Sequence, residues 1–362
     1  MNVVIIGLGM VGYGLFEQLK KDQSVLSLYG VMDHKEALLK SLDCKTFQSI
    51  DEIVLDKKVD IVVELIGGLH PATEYIKKAL QHGKHVVTAN KAVVSKYFQS
   101  IHQLAFDNNV IFRYEASVGG GIIILDPLES LSKLAHIELM FGIINGSTNY
   151  ILSKVFNENM SIKQAIVIAE ELGYLETGTT DDMDGLDLVR KINIMSMLAY
   201  HGVYQEDNVV RMPLSSLSEN MINYAKKQNK VIKYLAFSIR NKMIFVAPFL
   251  LPKSTTLSTI HDATNQICIY SKTSDWLVFE GQGAGRYPTS TAVLYDLYKV
   301  LEQKSYAINM NEQLNFKQNI NVFKLVVETK DGQIKEYEKE QASSAIEHPN
   351  TKTYMFIWED LI

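Results

Sequence analysis

Asn2-Val3-Val4-Ile5-Ile6-Gly7-Leu8-Gly9-Met10-Val11-Gly12 is the stretch on which the reading of this chain turns. Val3 to Ile6 is a short continuous apolar run, the signature of a strand buried on both faces. It passes directly into three glycines, after which Tyr13 to Lys20 reads as a helix. A glycine triplet alone is weak evidence, since many such turns bind nothing. Here each glycine has a task. Gly7 allows the tight turn, Gly9 lets the backbone approach a pyrophosphate, and Gly12 lets the helix pack on the strand. The helix N-terminus then faces the phosphates. Val25 to Met32 reads as a second strand ending at Asp33, 21 residues past Gly12, where an acid would hydrogen-bond the adenosine ribose. The first third is therefore read as a dinucleotide-binding domain. A carboxylate at Asp33 repels a 2'-phosphate and favours NAD. His34 and Lys35 follow at once and would pair with that phosphate, so NADP stays open.

The alternation continues downstream. Val59 to Leu65 reads as a strand leading to Gly67 and Gly68, and Pro71 to Gln81 as a helix with Pro71 in its first turn. His85 to Thr88 is the next strand, followed by Asn90 and Lys91, a helix over Ala92 to Phe106, and a strand at Val110 to Tyr114. Strands alternating with helices give a Rossmann-like, doubly wound parallel sheet whose ligands gather at the strand C-terminal ends. Gly67, Gly68, Asn90 and Lys91 fall on that edge. The bland reading of Lys91 is a solvated lysine, but a cation in a helix first turn opposes the helix dipole. A ligand is the better account. Glu115-Ala116-Ser117-Val118-Gly119-Gly120-Gly121 comes next. Three glycines after a buried strand suit a domain crossover, a cofactor contact or an oxygen-ligand cation site, and spacing does not choose among them.

From about Pro127 the pattern changes. His136 to Ile144 has strand character and ends in Asn145-Gly146-Ser147-Thr148-Asn149-Tyr150, a dense run of hydrogen-bonding groups with Ser147, Thr148 or Asn149 as helix caps. Ser161 to Leu172 is amphipathic and Gly173 closes it. Then comes Glu176-Thr-Gly-Thr-Thr-Asp-Asp-Met-Asp-Gly-Leu-Asp-Leu-Val-Arg-Lys191. Asp187 and Lys191 lie one helical turn apart, and their row continues into Ile194, Met195 and Leu198. A surface ion pair is the ordinary reading of such a pair. A carboxylate and an ammonium at the mouth of an apolar stripe are costly unless they face each other or a polar ligand, which favours a site. Gly281-Gln282-Gly283-Ala284-Gly285 later feeds a helix from Thr289 to about Gln303 and would return to cover the cofactor. At the end, Phe323 to Thr329 and Gln333 to Lys339 flank Lys330-Asp331-Gly332, a hairpin signal, with Tyr354 to Trp358 as a third strand.

The 362 residues suffice for two domains and an appendage. A net charge of -5 gives no electrostatic case for nucleic acid or an anionic membrane. The sequence opens on strand character rather than a basic leader, and no window approaches the roughly 20 apolar residues of a membrane span. A cytoplasmic location is expected. Cys44 and Cys268, far apart, make neither a disulfide framework nor a metal site by themselves.

With these motifs together, residues 1 to 302 or so resemble homoserine dehydrogenases. The likeness is carried by the turn at Gly7, Val62 to Gly68, Thr88 to Lys91, Glu115 to Gly121, and Gly142 to Tyr150. Leu172 to Glu176, Asp182 to Lys191, Gly283 to Gly285 and Pro288-Thr289 add to it. The glycine turn is unspecific; the acidic window with Gly185, Asp187 and Lys191 is the distinctive part. The resemblance implies NAD(P)-dependent interconversion of L-homoserine and L-aspartate 4-semialdehyde, feeding threonine, isoleucine and methionine synthesis. It implies Lys91 and Lys191 as catalytic lysines, with Asp187 supporting Lys191. Glu176 and Asp182 would hold the substrate, helped by Tyr174, Gly146 and Ser147. The cofactor would lie on Gly7, Gly9, Met10, Val11, Gly12, Asp33, Gly67, Gly68, Asn90 and Gly283. A monovalent cation (sodium) would sit on backbone carbonyls of Glu115, Val118, Gly120 and Ile122. The expected organisation is a dinucleotide-binding domain at 1–125 completed by 281–302, and an α+β substrate-binding and homodimer-forming domain at 126–280. A small β-rich appendage would occupy 303–362. Two departures stand out: Gly178-Thr179 where the family has Asp-Pro, and Arg286-Tyr287 where small residues are common. The last 60 residues lack the turn pattern of the ACT regulatory module found in many relatives.

The residue-level reading agrees on chemistry. Reducing an aldehyde needs a hydride from the nicotinamide and a proton for the developing alkoxide, and a positioned lysine supplies the proton. The reverse oxidation needs that lysine unprotonated and is expected to quicken at alkaline pH. Carboxylates at Glu176 and Asp182 suit the ammonium of an amino acid. Another dehydrogenase on the same scaffold remains an alternative. One acting on aspartate semialdehyde as an acylating enzyme needs a thiolate, and neither cysteine has that context. A catalytically dead NAD(P) sensor is the other, against which Lys91, Asp187 and Lys191 together argue.

Overall fold

The computed structural model describes residues 1–21, 25–175, 180–308 and 312–358. The chain divides into two compact units, one of residues 1–134, 194–205 and 284–313, the other of 135–193, 206–283 and 314–362.

In the first unit, β1 (Asn2–Ile6), β2 (Ser27–Met32), β3 (Lys45–Thr46), β4 (Ile61–Glu64), β5 (His85–Thr88) and β6 (Phe112–Arg113) form one sheet in the order β3-β2-β1-β4-β5-β6. Every neighbouring pair is parallel. The runs of Val and Ile are buried on both faces, as a parallel sheet covered by helices requires. Register decides the rest. Ile6 is level with Met32 and Glu64, and Glu64 with Thr88, so the loops after four strands leave along one edge. The strand order reverses between β1 and β4, which is where such sheets bind ligands. The helix Arg286–Leu301 returns to this unit, its Ala292, Val293, Leu297 and Val300 joining Val3, Ile5, Leu15 and Leu19 in one core. It begins earlier than Thr289 because Gly285, at φ 122°, ends the loop, and Pro288 is tolerated in a helical first turn.

The second unit is built on a nine-stranded sheet with β7 (Ile137–Ile143), β8 (Val210–Arg211), β9 (Lys230–Ile239), β10 (Met243–Pro252), β11 (Thr264–Ser271) and β12 (Asp275–Gln282). It continues with β13 (Leu325–Thr329), β14 (Ile334–Tyr337) and β15 (Thr351–Ile357), in the order β12-β11-β7-β9-β10-β15-β13-β14 with β8 on β10. One face carries an aromatic core. Phe237 and Phe249 lie 4.8 Å apart by ring centre, and Phe249 and Phe356 5.3 Å apart. Gly185, at φ 80°, opens the site helix Leu186–Tyr200; a Cβ there would meet the Tyr234 hydroxyl at 2.1 Å.

The expected tail differs from what is found. The hairpin of β13 and β14 and the third strand exist, but they are no separate appendage. β15 pairs in parallel with β10, and Phe323 and Phe356 enter the same core as Phe237 and Phe245. Their burial binds the tail to the sheet. The helix Leu125–Leu134 belongs to the first unit rather than opening the second, because its N-terminus is capped by Glu115.

Candidate active site

In the first unit the glycine turn has the geometry its sequence requires. Gly7 takes φ 93° and donates to Met32 O at 2.9 Å. A Cβ on Gly12 would lie 1.9 Å from the Gly7 carbonyl oxygen, whereas one on Gly9 would meet nothing within 4 Å. Gly12 is thus needed for the turn itself, and Gly9 lines open space above the helix start that exposes Met10, with Val11 next to it. Gly12→Ala is expected to abolish dinucleotide binding, read by titrating the quenching of protein fluorescence with NADH and NADPH. Undiminished affinity would sink this assignment of the turn.

Asp33 follows β2 and turns inward. Its carboxylate accepts from Leu8 N at 2.6 Å and Lys35 N at 2.9 Å, with its side chain 4% exposed. Burial alone would raise its pKa; the two amides and the neighbouring His34 and Lys35 charges pull it below the usual value. His34 and Lys35 are left exposed beside it. Gly67 and Gly68 take φ 75° and 70° after β4, and a Cβ on Gly67 would meet nothing.

Glu64, at the end of β4, is a residue whose part was not read from sequence. It is fully buried and accepts from Ile66 N, Gly67 N and Thr88 Oγ1. Asn90 Nδ2 then donates to Gly68 O at 2.7 Å, and Asn90 Oδ1 caps the helix Lys91–Asp107. This network ties the loops after β4 and β5 together and sets Lys91 at the first helical position. Burial pushes the Glu64 carboxyl up despite its donors.

The segment after β6 is buried almost throughout, with Gly119 and Gly120 at φ 76° and 59°. Among the described residues, the carbonyls of Val118, Gly120 and Ile122 accept no backbone hydrogen bond, while that of Glu115 takes Val118 N at 3.3 Å. The Glu115 side chain has a different task, accepting from Ile124 N, Leu125 N and Asp126 N. No group of three or more His, Cys, Asp or Glu placed to hold a metal occurs among the described residues.

The second unit gathers the polar run after β7 and the start of the helix Leu186–Tyr200. Lys191 Nζ lies 2.8 Å from Asp187 Oδ2 and donates to Ile144 O at 2.7 Å. The side chains are 11% and 4% exposed, so the pair is a buried one rather than a surface bridge. Asn145, the residue next to that carbonyl, donates through Nδ2 to Asp182 Oδ1 at 2.8 Å and to Asp187 Oδ2 at 2.9 Å. Burial, then the charge of Asp187, raises the Asp182 carboxyl, while Ser147, Lys191 and Asn145 act against this. Ser147 Oγ donates to Tyr174 O, and the Tyr174 ring stacks on Tyr150 at 4.5 Å. Gly146 is packed closely, since a Cβ would meet Ala263 at 3.2 Å.

The predicted residues therefore fall into two groups. Gly7, Gly9, Met10, Val11, Gly12, Asp33, Gly67, Gly68, Asn90 and Lys91 lie along one sheet edge of the first unit. Gly146, Ser147, Tyr174, Asp182, Asp187 and Lys191 cluster in the second. Glu176 lies outside the described residues. Gly283 belongs to the second unit, its backbone against Asn265, where a Cβ would come within 2.1 Å of the carboxamide. The expected caps Ser147, Thr148 and Asn149 are corrected to Asn145, whose Oδ1 accepts from Thr148 N. Strand geometry persists to Asn145 (φ -134°, ψ 115°), so the helix starts one residue before Ser147.

A glycine turn between the first strand of a parallel sheet and a helix, together with a buried lysine–aspartate pair in a separate α+β unit, is the arrangement expected of a pyridine-nucleotide oxidoreductase. Comparison with known proteins narrows the class. The family model of the homoserine dehydrogenase NAD binding domain matches residues 7–115, and that of homoserine dehydrogenase matches 124–298. The chain is 35% identical over 318 residues to the homoserine dehydrogenase of Synechocystis sp., covering 83% of this chain and 73% of that one. It is 32% identical to the Bacillus subtilis homoserine dehydrogenase, with 86% and 75% covered. A crystal structure of a homoserine dehydrogenase from Thiobacillus denitrificans superposes with a TM-score of 0.88 at 25% identity, covering 100% of this chain and 99% of that one. The chain belongs to the homoserine dehydrogenase family, NAD(P)-dependent oxidoreductases of amino-acid biosynthesis.

Proposed function

We propose that this protein interconverts L-homoserine and L-aspartate 4-semialdehyde with a nicotinamide cofactor, in the synthesis of threonine, methionine and isoleucine. The observation that carries the reading is the Lys191 ammonium, held between Asp187 and Ile144 O beside the carboxylate of Asp182. The bound dinucleotide supplies or accepts the hydride. Lys191 hands a proton to the aldehyde oxygen as negative charge develops, and takes it back in the oxidation. Lys91 contributes the second cation. Asp182, with Glu176, receives the substrate ammonium, and Ser147, Gly146 and Tyr174 line the remainder. Gly7, Gly9, Gly12, Gly67, Gly68 and Asn90 would hold the nucleotide. Carbonyls of Glu115, Val118, Gly120 and Ile122 would hold sodium.

Cofactor choice is read as NAD over NADP by a modest margin. The Asp33 carboxylate repels a 2'-phosphate, yet its oxygens are tied to backbone amides, and exposed His34 and Lys35 can meet that phosphate. A homodimer is proposed through the second unit, whose edge strand β12 exposes Trp276 and Val278. A cytoplasmic location is proposed from the free amino-acid substrate; among the described residues no helix is long and apolar enough to cross a membrane.

The test is absorbance at the reduced-nicotinamide band with aspartate semialdehyde and either cofactor, and with homoserine in reverse. Turnover of both substrates, with kcat/KM somewhat higher for NADH, is expected. Nucleotide binding without turnover of either would leave the sensor reading instead.

A further inference from the structure

We propose that Asn145 is a positioning residue of this reaction, its carboxamide fixing Asp182 and Asp187 in one geometry and, through Asp187, aiming the Lys191 ammonium. This rests on the reading of Lys191 as proton donor and Asp182 as substrate ligand. Asn145 is 4% exposed. A carboxamide offers two lone pairs on oxygen and two N–H groups on nitrogen. Thr148 N and Thr148 Oγ1 each donate to Oδ1 at 2.8 Å. Nδ2 gives its two hydrogens to Asp182 and Asp187. Every capacity is used, so nothing remains for a ligand. The orientation is also unique: rotated, the amide would aim N–H groups at the donors of Thr148 and its oxygen at two carboxylates.

The arrangement solves an electrostatic problem. Two carboxylates at one site repel, and one is driven to hold its proton unless donors or cations lie between them. Asn145 supplies a donor to each without adding charge. Its own backbone continues from Ile144, whose carbonyl takes Lys191. The lysine is thus located by two consecutive residues, one through its carbonyl and the other through Asp187. Asp or Ser here would satisfy a helix N-terminus as well as Asn does, but only Asn both caps and bridges.

That separation gives the test. Asn145→Ser and Asn145→Asp keep the cap and lose the bridge, the second also placing a third carboxylate against the other two. Melting temperature, and steady-state kinetics across pH in both directions, are measured for wild type and both variants. The expected result is an unchanged KM for the nicotinamide cofactor and a kcat lower by about 10–100-fold in Asn145→Ser, from misplacement of the proton donor. Asn145→Asp is expected to fall further. In Asn145→Ser the acid limb of kcat/KM should move to higher pH. Asp182 then keeps the repulsion of Asp187 and loses one of its three restraints, leaving Lys191 and Ser147. An Asn145→Ser enzyme with wild-type kcat and pH profile overturns the proposal. So does one that melts lower with reduced kcat at an unshifted profile, which would mark a purely structural role. Wild-type protein that fails to reduce the semialdehyde overturns the functional reading itself, visible in that arm alone.

Discussion

Lys191→Met is expected to lower kcat for semialdehyde reduction by about 10²–10⁴-fold, the range for removing a positioned general acid. Affinity for the nucleotide, measured by fluorescence titration, should be retained. Methionine keeps the unbranched stem and its packing against the apolar row, so the loss is of the ammonium. The loss is not only kinetic. Lys191 and Asp187 are both buried, and stripping one partner from such a pair leaves a costly charge, about 3–5 kcal/mol where nothing else compensates. Asn145 still donates to Asp187, so the stability loss should fall below that range. Replacing Asp187 by Leu as well should recover stability in urea without recovering turnover. Lys191→Arg is not a conservative test, since a planar guanidinium does not give up its proton and cannot place one point charge against both Ile144 O and Asp187. Near-wild-type turnover in Lys191→Met would remove the lysine from the chemistry.

Arg113→Met should produce the largest loss of stability in the first unit, about 3–5 kcal/mol as for a broken buried ion pair. Arg113 is 1% exposed and donates to Asp296 Oδ1 at 2.6 Å and Asp126 Oδ1 at 2.7 Å, with its guanidinium 4.3 Å from the centre of the Tyr306 ring. Asp296 is fully buried and also accepts from Glu115 N. Burial, then the charge of Asp296, pushes Glu115 up; burial pushes Asp296 up against the pull of Arg113. The sign follows from these directions. Groups whose pKa is higher in the folded than the unfolded chain bind protons on folding, so stability falls as pH rises through that interval. Without Arg113 the Asp296 carboxyl rises further, and the interval extends upward. The deficit of Arg113→Met should therefore be smaller near pH 5.5 than near pH 8, measured as urea midpoints at both. An equal deficit at the two pH values would contradict the ion-pair account. Because Glu115 also caps the helix Leu125–Leu134, the variant should disturb the 115–122 carbonyl loop as well.

The first unit was legible because its signals are local. A glycine turn between a strand and a helix states its own geometry, and Asp33, Asn90 and Lys91 follow from strand ends. Asp187 and Lys191 were legible for the same reason, being one turn apart. Asn145 was not. Its partners lie 37 and 42 residues away, and a run of four cap-forming side chains gave no sign of which would turn inward. Glu64 was hidden similarly, since a carboxylate ending an apolar strand explains itself only once Thr88 is beside it. The place of the tail was illegible because β10 and β15 join by a parallel pairing across about a hundred residues, which no hairpin signal announces.

That pairing bears on how the protein can be shortened. Cutting the chain ahead of Phe323 would strip β10 of its neighbour at Phe249 and Leu250, which pair with β15, since β8 shields only Phe245 and Val246. A bare row of amides and carbonyls flanked by phenylalanines invites other molecules to add strands. Truncates made to probe regulation would then form inclusion bodies, and their inactivity would say nothing about feedback.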